Sequence, residues 1–293
     1  MKWIDYARPQ TVAEAVQLLT ERGDGARAMA GGTDLIVQLR VGRRQPDHVV
    51  DVKHIPDLNE VDTSGGGVTL GAAVPCHIIY NNEVIKDAFP ALVDSASIIG
   101  GTQIQGRASI GGNLCNAAPS ADAIPTLIAL GATANVSGST GDRSVAIEDF
   151  CTGPGQNVLG ADELLTSISI PEQGANSGAR YQRFIPRNEM DIAVVGVGAS
   201  VTLNNGSFES VRVSLASVAP TPLFVTEIND ELAGKDVSDE NIAKAGEIAK
   251  AAAKPISDMR GTADYRRHLC DVMTRRVLGD AITRARGGNV DAH

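Results

Sequence analysis

Only four cysteines occur in 293 residues, at positions 76, 115, 151 and 270, with no C-x-x-C pair and no histidine at chelating spacing from any of them. That pattern excludes a zinc or iron–sulfur signature and predicts reduced, partly buried thiols. Any iron–sulfur centre working with this chain must therefore sit in another polypeptide. Basic charge is also short, with 26 Lys and Arg against 35 Asp and Glu and a net charge of −9, which speaks against a nucleic-acid surface. Apolar runs such as residues 192–199 fall far below the roughly 18 residues of a membrane helix. The opening Met1-Lys2-Trp3-Ile4 leads into no signal-peptide stretch. No membrane span and cytoplasmic residence are the expectations. The compact signatures are missing as well: there is no G-x-G-x-x-G after a strand, no G-x-x-x-x-G-K-[ST], no G-x-S-x-G and no H-E-x-x-H. The five histidines, at 48, 54, 77, 268 and 293, are scattered and point to no imidazole-centred mechanism.

What is present is ordinary globular material, 43% hydrophobic and 21% charged, long enough for two or three structural units. Thr11-Val12-Ala13-Glu14 reads as a capping box opening a first helix that Gly23 can close. A strand at 28–30 then runs into Gly31-Gly32-Thr33-Asp34 and a second helix, followed by strands at 49–52 and 68–71. Between 74 and 99, helical spacing broken by Pro75 and Pro90 predicts two helices, after which a glycine-heavy segment at 100–113 interrupts. A helix at 122–130 and strands near 132–136, 143–147 and 164–170 complete this region. A Pro/Gly/Ser/Asn stretch at 172–179 marks a boundary. Beyond it, strands at 181–185, 192–203 and 211–218 precede helices at 238–253 and 262–286. The fold class expected is α+β. A small α/β subdomain (1–55) and a larger subdomain with a mixed or antiparallel sheet (56–174) make one part. A C-terminal α+β domain with a small antiparallel sheet (175–286) and a loose tail (287–293) follow.

The chemistry is carried by two glycine pairs of like decoration, Ala30-Gly31-Gly32-Thr33-Asp34 and Ser109-Ile110-Gly111-Gly112-Asn113. Paired glycines let a backbone approach a ligand closely and aim successive N–H groups at one anion, for which a pyrophosphate is a suitable guest. The first pair also opens a helix, whose free N–H groups and positive end favour phosphate, and the Thr33 hydroxyl adds a donor. Asp34 would repel a diphosphate and is expected to turn away and cap the helix. Gly32 and Gly112 are expected at positive φ, where a branched residue is penalised. Read singly, each pair is also compatible with a plain tight turn.

Three stretches together carry a resemblance that covers nearly the whole chain: A-G-G-T-D-L from residue 30, Q-I-Q-G-R-A-S-I-G-G-N-L-C-N-A-A-P-S-A-D-A-I-P from residue 103, and R-N-E-M-D-I-A from residue 187. The sequence resembles the FAD-binding medium subunit of the molybdenum hydroxylases, the family of xanthine dehydrogenases and aerobic carbon monoxide dehydrogenases. The resemblance implies a noncovalent FAD. Its diphosphate and neighbouring polar groups would lie on Ala30, Gly31, Gly32, Thr33, Asp34 and Leu35 and on Ser109, Ile110, Gly111, Gly112 and Asn113. Asp122 would bind flavin-side hydroxyls, Leu164 and Arg183 would lie close to the isoalloxazine, and Gln103 and Ile104 would also line the site. The family often has Lys in place of Arg183 and paired arginines in place of Arg187-Asn188, which alters the basic contact to the ring. Asp191 is the candidate orienting carboxylate, with a plain salt bridge as the competing reading.

The resemblance further implies a flavoprotein subunit that works with a large molybdopterin subunit and a small subunit with [2Fe–2S] clusters, as a dimer of heterotrimers. Such a subunit passes electrons to an external acceptor such as NAD, a quinone, a cytochrome or oxygen. No catalytic dyad is needed, because the flavin performs the redox step itself. Two rivals remain. A stand-alone FAD-dependent oxidase or reductase would need its own pocket with an acid or base beside the flavin, and aromatic residues, at 3%, offer few stacking walls for a substrate. A scaffold that has lost its cofactor would not be expected to keep both glycine pairs intact.

Overall fold

The structure is a computed structural model that describes residues 2–187 and 190–291. Asn188 and Glu189 of the R-N-E-M-D-I-A stretch, and the last two residues of the expected tail, lie outside the described residues.

The chain opens with β1 (Asp5–Ala7), α1 (Val12–Arg22), β2 (Ala26–Met29), α2 (Leu35–Arg40) and β3 (His48–Asp51). The three strands form a parallel sheet in the order β1-β3-β2. α1 starts where the sequence places it: the Thr11 hydroxyl accepts from the Glu14 N–H, and Glu14 reaches back to the Gln10 N–H rather than to that of Thr11. Gly23, at φ 50°, closes it. The helix buries Ala15 and Leu19 against Val50, Val52 and Ala26, and a leucine so buried contributes about 1.5–3 kcal/mol.

The next region contains β4 (Val61–Asp62), β5 (Val68–Gly71), α3 (Cys76–Asn81), α4 (Glu83–Ala88), α5 (Pro90–Ala96), α6 (Thr102–Gln105), α7 (Ile110–Asn116), α8 (Ala123–Ala129), β6 (Thr133–Gly138), β7 (Gly141–Ala146), β8 (Cys151–Gly153), β9 (Gln156–Asn157) and β10 (Leu164–Ile170). An antiparallel sheet in the order β4-β5-β10-β6-β7 carries it, and β8 and β9 pair as a separate hairpin. Three helices replace the two expected between 74 and 99, because the Asn82 carboxamide caps the Ile85 N–H and starts a fresh helix. The segment expected to interrupt at 100–113 instead holds α6 and the first turn of α7.

The C-terminal part has β11 (Ser177–Phe184), β12 (Val195–Asn204), β13 (Ser207–Ala216), β14 (Leu223–Phe224), α9 (Thr226–Leu232), α10 (Asp239–Ala252) and α11 (Ala263–Ala285). Its sheet is antiparallel in the order β11-β12-β13-β14. β12 is covered on both faces. Val195, Val197, Ala199, Val201 and Leu203 enter the core beneath α10 and α11, while a Cβ on Gly198 would stand 2.5 Å from the Pro125 carbonyl of α8. Ser200 fastens the same contact by donating to the Ala129 carbonyl at 2.6 Å. The two regions are also joined through Asp94 on α5, which is fully buried. Its carboxylate accepts from Arg180 of β11 at 2.8 Å, from Arg284 of α11 at 2.7 and 3.0 Å, and from the Tyr181 N–H at 3.2 Å. The α+β class and its three-part layout are as expected. Among the described residues, no helix is long and apolar enough to cross a membrane.

Candidate cofactor site

The first glycine pair sits where β2 ends and α2 begins, and the second is the N-terminal turn of α7. A cavity of about 350 Å³ brings them together: Ala30, Gly31, Gly32, Thr33, Asp34 and Leu35 line it beside Ser109, Gly111, Gly112, Asn113 and Leu164. Each glycine has its own task. A Cβ on Gly31 would fall 1.8 Å from the Arg107 carbonyl carbon's oxygen, so the two segments touch backbone to backbone. A Cβ on Gly111 would fall 2.3 Å from the Ala72 oxygen, which seats α7 against the end of β5. Gly32 has φ 74°, a conformation that side chains disfavour. Gly112 does not: it is helical, and a Cβ there would meet only the Ser109 Oγ, at 3.1 Å. The positive φ expected for Gly112 is thus corrected, because its N–H is held in a helical first turn by the Ser109 hydroxyl at 3.0 Å.

Asp34 is the second correction. It occupies the cap position of α2 with helical angles, φ −95° and ψ −47°, and makes no capping bond. A carboxylate reaches the first-turn N–H groups from an extended backbone, which Asp34 lacks. It stands at the cavity wall, where the surrounding protein partly desolvates its carboxylate and raises its pKa. In the first turn of α2 the Ile36 N–H is taken by the Gly32 carbonyl at 3.0 Å, and no side chain caps the turn. Asn113 has an internal duty, accepting from the Ala123 N–H at 3.2 Å and so tying α7 to α8.

The remaining candidates lie outside the cavity lining. Ile110 is buried in the core of the second region. Asp122 is buried between Tyr181, whose hydroxyl donates to it at 2.8 Å, and Arg183, whose guanidinium does so at 2.8 Å. Burial outweighs the nearby charge of Arg183 and lifts the Asp122 pKa to about 6. Asp191 accepts from Arg187 through both oxygens at 3.1 Å and from the Ile192 N–H at 2.8 Å, and Arg187 foremost holds its pKa down at about 2. Gln103 is exposed and Ile104 half-buried on α6. A Cβ on Gly101 would meet Met190 Sδ at 2.9 Å and Gln103 Oε1 at 3.0 Å, so Gln103 and the stretch containing Asp191 converge there. Ile99, two residues away, lines the cavity. Gln103 and the stretch with Asp191 thus lie near the cavity's edge at Ile99, whereas Ile110 and Asp122 are buried outside its lining.

Several lining groups were not expected from sequence. The β8–β9 hairpin contributes Gly155 and Asn157, and α2 with its following turn contributes Gln38 and Arg44. Gly153-Pro154-Gly155 is a turn signal that could have revealed the hairpin. Asn157 donates to the Cys115 carbonyl at 2.8 Å, Gly155 N–H to the Ala117 carbonyl at 2.9 Å, and Gln38 to Asn116 at 2.9 Å. These bonds hold the hairpin and α2 against α7. A glycine-edged cradle of backbone at the starts of two helices, one of them without a side-chain cap, fits a diphosphate.

Comparison with known proteins agrees with this geometry. Residues 2–173 match the family model described as the FAD binding domain in molybdopterin dehydrogenase, and residues 180–281 match the CO dehydrogenase flavoprotein C-terminal domain. The chain is 33% identical over 282 residues to the carbon monoxide dehydrogenase medium chain of Afipia carboxidovorans, covering 96% of this chain and 98% of that one. It is 32% identical to the xanthine dehydrogenase FAD-binding subunit of Escherichia coli O157:H7, covering 96% and 97%. Among solved structures, reconstituted CO dehydrogenase from Oligotropha carboxidovorans superposes with a TM-score of 0.93 at 32% identity, covering 97% of this chain and 99% of that one.

Proposed function

Since the chain belongs to the family of FAD-binding flavoprotein subunits of the molybdopterin dehydrogenases, we propose that it holds FAD between its two glycine pairs and relays electrons within a multisubunit oxidoreductase. The electrons would arrive from the [2Fe–2S] clusters of a small partner subunit, having been released by substrate at a large molybdopterin subunit, and would leave to an external acceptor. The observation that carries this reading is the single cavity lined by Gly31, Gly32, Gly111 and Gly112 together. When bound, FAD supplies the redox chemistry and accepts electrons singly or in pairs.

The chain's own residues do the rest. The first turns of α2 and α7 bind the diphosphate through main-chain donors, and Thr33 adds its hydroxyl. Leu164, only 5% exposed, and Leu165 give the cavity an apolar wall that keeps water from a ring system. By the resemblance, Asp122 and Arg183, which pair with each other at 2.8 Å, would contact flavin-side hydroxyls and the isoalloxazine, and Asp191, held by Arg187, would orient the flavin. Among the described residues no histidine lines the cavity, and an electron-relaying subunit needs no acid–base pair of its own.

The test is purification of the chain alone and in company. A visible flavin spectrum, FAD rather than FMN on release, and companion chains that carry molybdopterin and iron–sulfur are the expected results. A chain that stays colourless after incubation with FAD would overturn the cofactor assignment. A chain whose flavin is bleached by an organic substrate in the absence of partners would favour a stand-alone flavoenzyme.

A further inference from the structure

Glycine-edged main-chain donors offer partial charges only, and the cavity they serve also has carboxylates on its wall. Of these, Glu163 is neutralised by Arg143 through two contacts of 2.7 Å, which leaves Asp24 and Asp34. A diphosphate entering that space would bring further negative charge into a protein that already carries −9. Set against this are Arg27 and Arg44, which line the same cavity, and Arg43 beside them. None of the three has a carboxylate within ion-pair distance among the described residues. Arg27 donates only to the carbonyls of Asp24 and Ala26, and Arg44 donates to Gln38 Oε1 at 2.8 Å and the Gly155 carbonyl at 3.2 Å.

The arrangement sets like charges close together. Burial, and then the charges of Arg27 and Arg43, lower the pKa of Arg44, which records guanidinium groups pressed together without a counter-charge. Such a cluster is ordinarily separated by solvent or paired with acids. Here it is held in place from two sides. Arg44 folds back on Gln38, one turn beyond the start of α2, and Gln38 in turn donates to Asn116 at the end of α7. The two helices that present their first turns to the cavity therefore also fix this guanidinium. With Nε and Nη2 engaged by protein oxygens, the Nη1 donors of Arg44 have no partner among the described residues.

We propose that Arg44, supported by Arg27 and Arg43, is a phosphate-binding residue of the cofactor cavity that neutralises the diphosphate where the glycine turns alone cannot. This rests on the reading of the cavity as an FAD site and adds to it a side-chain contact that selects phosphorylated over unphosphorylated flavin. A guanidinium can hold Gln38 and Gly155 and still present its Nη1 hydrogens to a phosphate oxygen, which an ammonium would do less well.

The test is titration of the full-length apo chain with FAD, ADP and riboflavin at several salt concentrations, for the parent protein and for Arg44→Gln, Arg44→Lys and Arg27→Gln. Arg27→Gln guards against a fold effect, because Arg27 bonds only to its own local carbonyls. Circular dichroism and a melting curve show that each variant is folded. Expected are an increase in Kd of tenfold or more for both FAD and ADP in Arg44→Gln, a smaller increase in Arg44→Lys and Arg27→Gln, a flatter salt dependence in both Gln variants, and no change for riboflavin. FAD and ADP affinities of Arg44→Gln within twofold of the parent, or an equal loss for riboflavin, would overturn the proposal while leaving the FAD site standing. A parent chain that binds neither FAD nor ADP would overturn both.

Discussion

Single residues divide the glycine pairs into those that serve the fold and those that serve the ligand. Gly31 lies against the Arg107 carbonyl, so Gly31→Val is expected to lose FAD and also to lower stability by more than about 2 kcal/mol, visible as a lower melting temperature of the apo chain. Gly112 is helical and has room for one methyl beside Ser109 Oγ. Gly112→Ala should therefore keep apo stability within about 1 kcal/mol of the parent, since alanine favours helix, while weakening FAD binding severalfold by crowding the donors. If Gly112→Ala bound FAD as well as the parent, the α7 turn would not be a ligand contact. Asp122 supplies a pH test. Its folded pKa of about 6 exceeds the unfolded value of 3.8, so the native state binds the extra proton and this group's contribution to stability is lost as pH rises from about 4 to 6. Asp122→Asn is expected to flatten that decline in denaturant midpoint, and an unchanged slope would count against the shift. The pairs themselves were legible because glycine and its neighbours are a local signal. Arg44 was not, since its meaning depends on Gly155 and Arg27, which lie far away in sequence.

At the level of elements, the sequence is most readable where one segment decides its own ends. The cap at Thr11 and the stop at Gly23 delimit α1, and β10 has the bounds that its residues 164–170 suggest. It is least readable where short helices abut. Asn82 divides one expected helix into two, and α6 and α7 form in a stretch whose glycines argue against helix, because packing on Ala72 and Arg107 overrides propensity there. The β8–β9 hairpin, with strands of three and two residues, is too short to show a period at all. Asp94 on α5 gave no sign in sequence of being a cross-link, because its partners at Arg180 and Arg284 are 86 and 190 positions away. Asp94→Ala should leave the Arg284 guanidinium without a carboxylate and Arg180 with only Asp280, 3.3 Å away, and lower the free energy of unfolding by about 3–5 kcal/mol in urea titration. A loss below 1 kcal/mol would mean that solvent reaches them.

For the whole molecule, the absence of cysteine motifs becomes a statement about chemistry. All four thiols are free, and burial pushes Cys76, Cys115 and Cys270 up to about 12 and Cys151 to about 11. Native protein at pH 8 should thus react with a disulfide reagent at none of the four on a timescale of minutes, and at all four after unfolding in guanidinium. Fast labelling of a native thiol, identified by peptide mapping, would show that burial does not protect it. The division of labour between regions is equally plain. Residues from the first two parts of the chain build the cavity, whereas the C-terminal sheet docks on them through α8 and through the carboxylate of Asp94. That carboxylate limits how modular the chain can be. A chimera that grafts the last hundred or so residues of a relative onto this cofactor region would inherit one half of an ionic lock without the other. Such an exchange should yield soluble protein only when positions 94, 180 and 284 travel as a set.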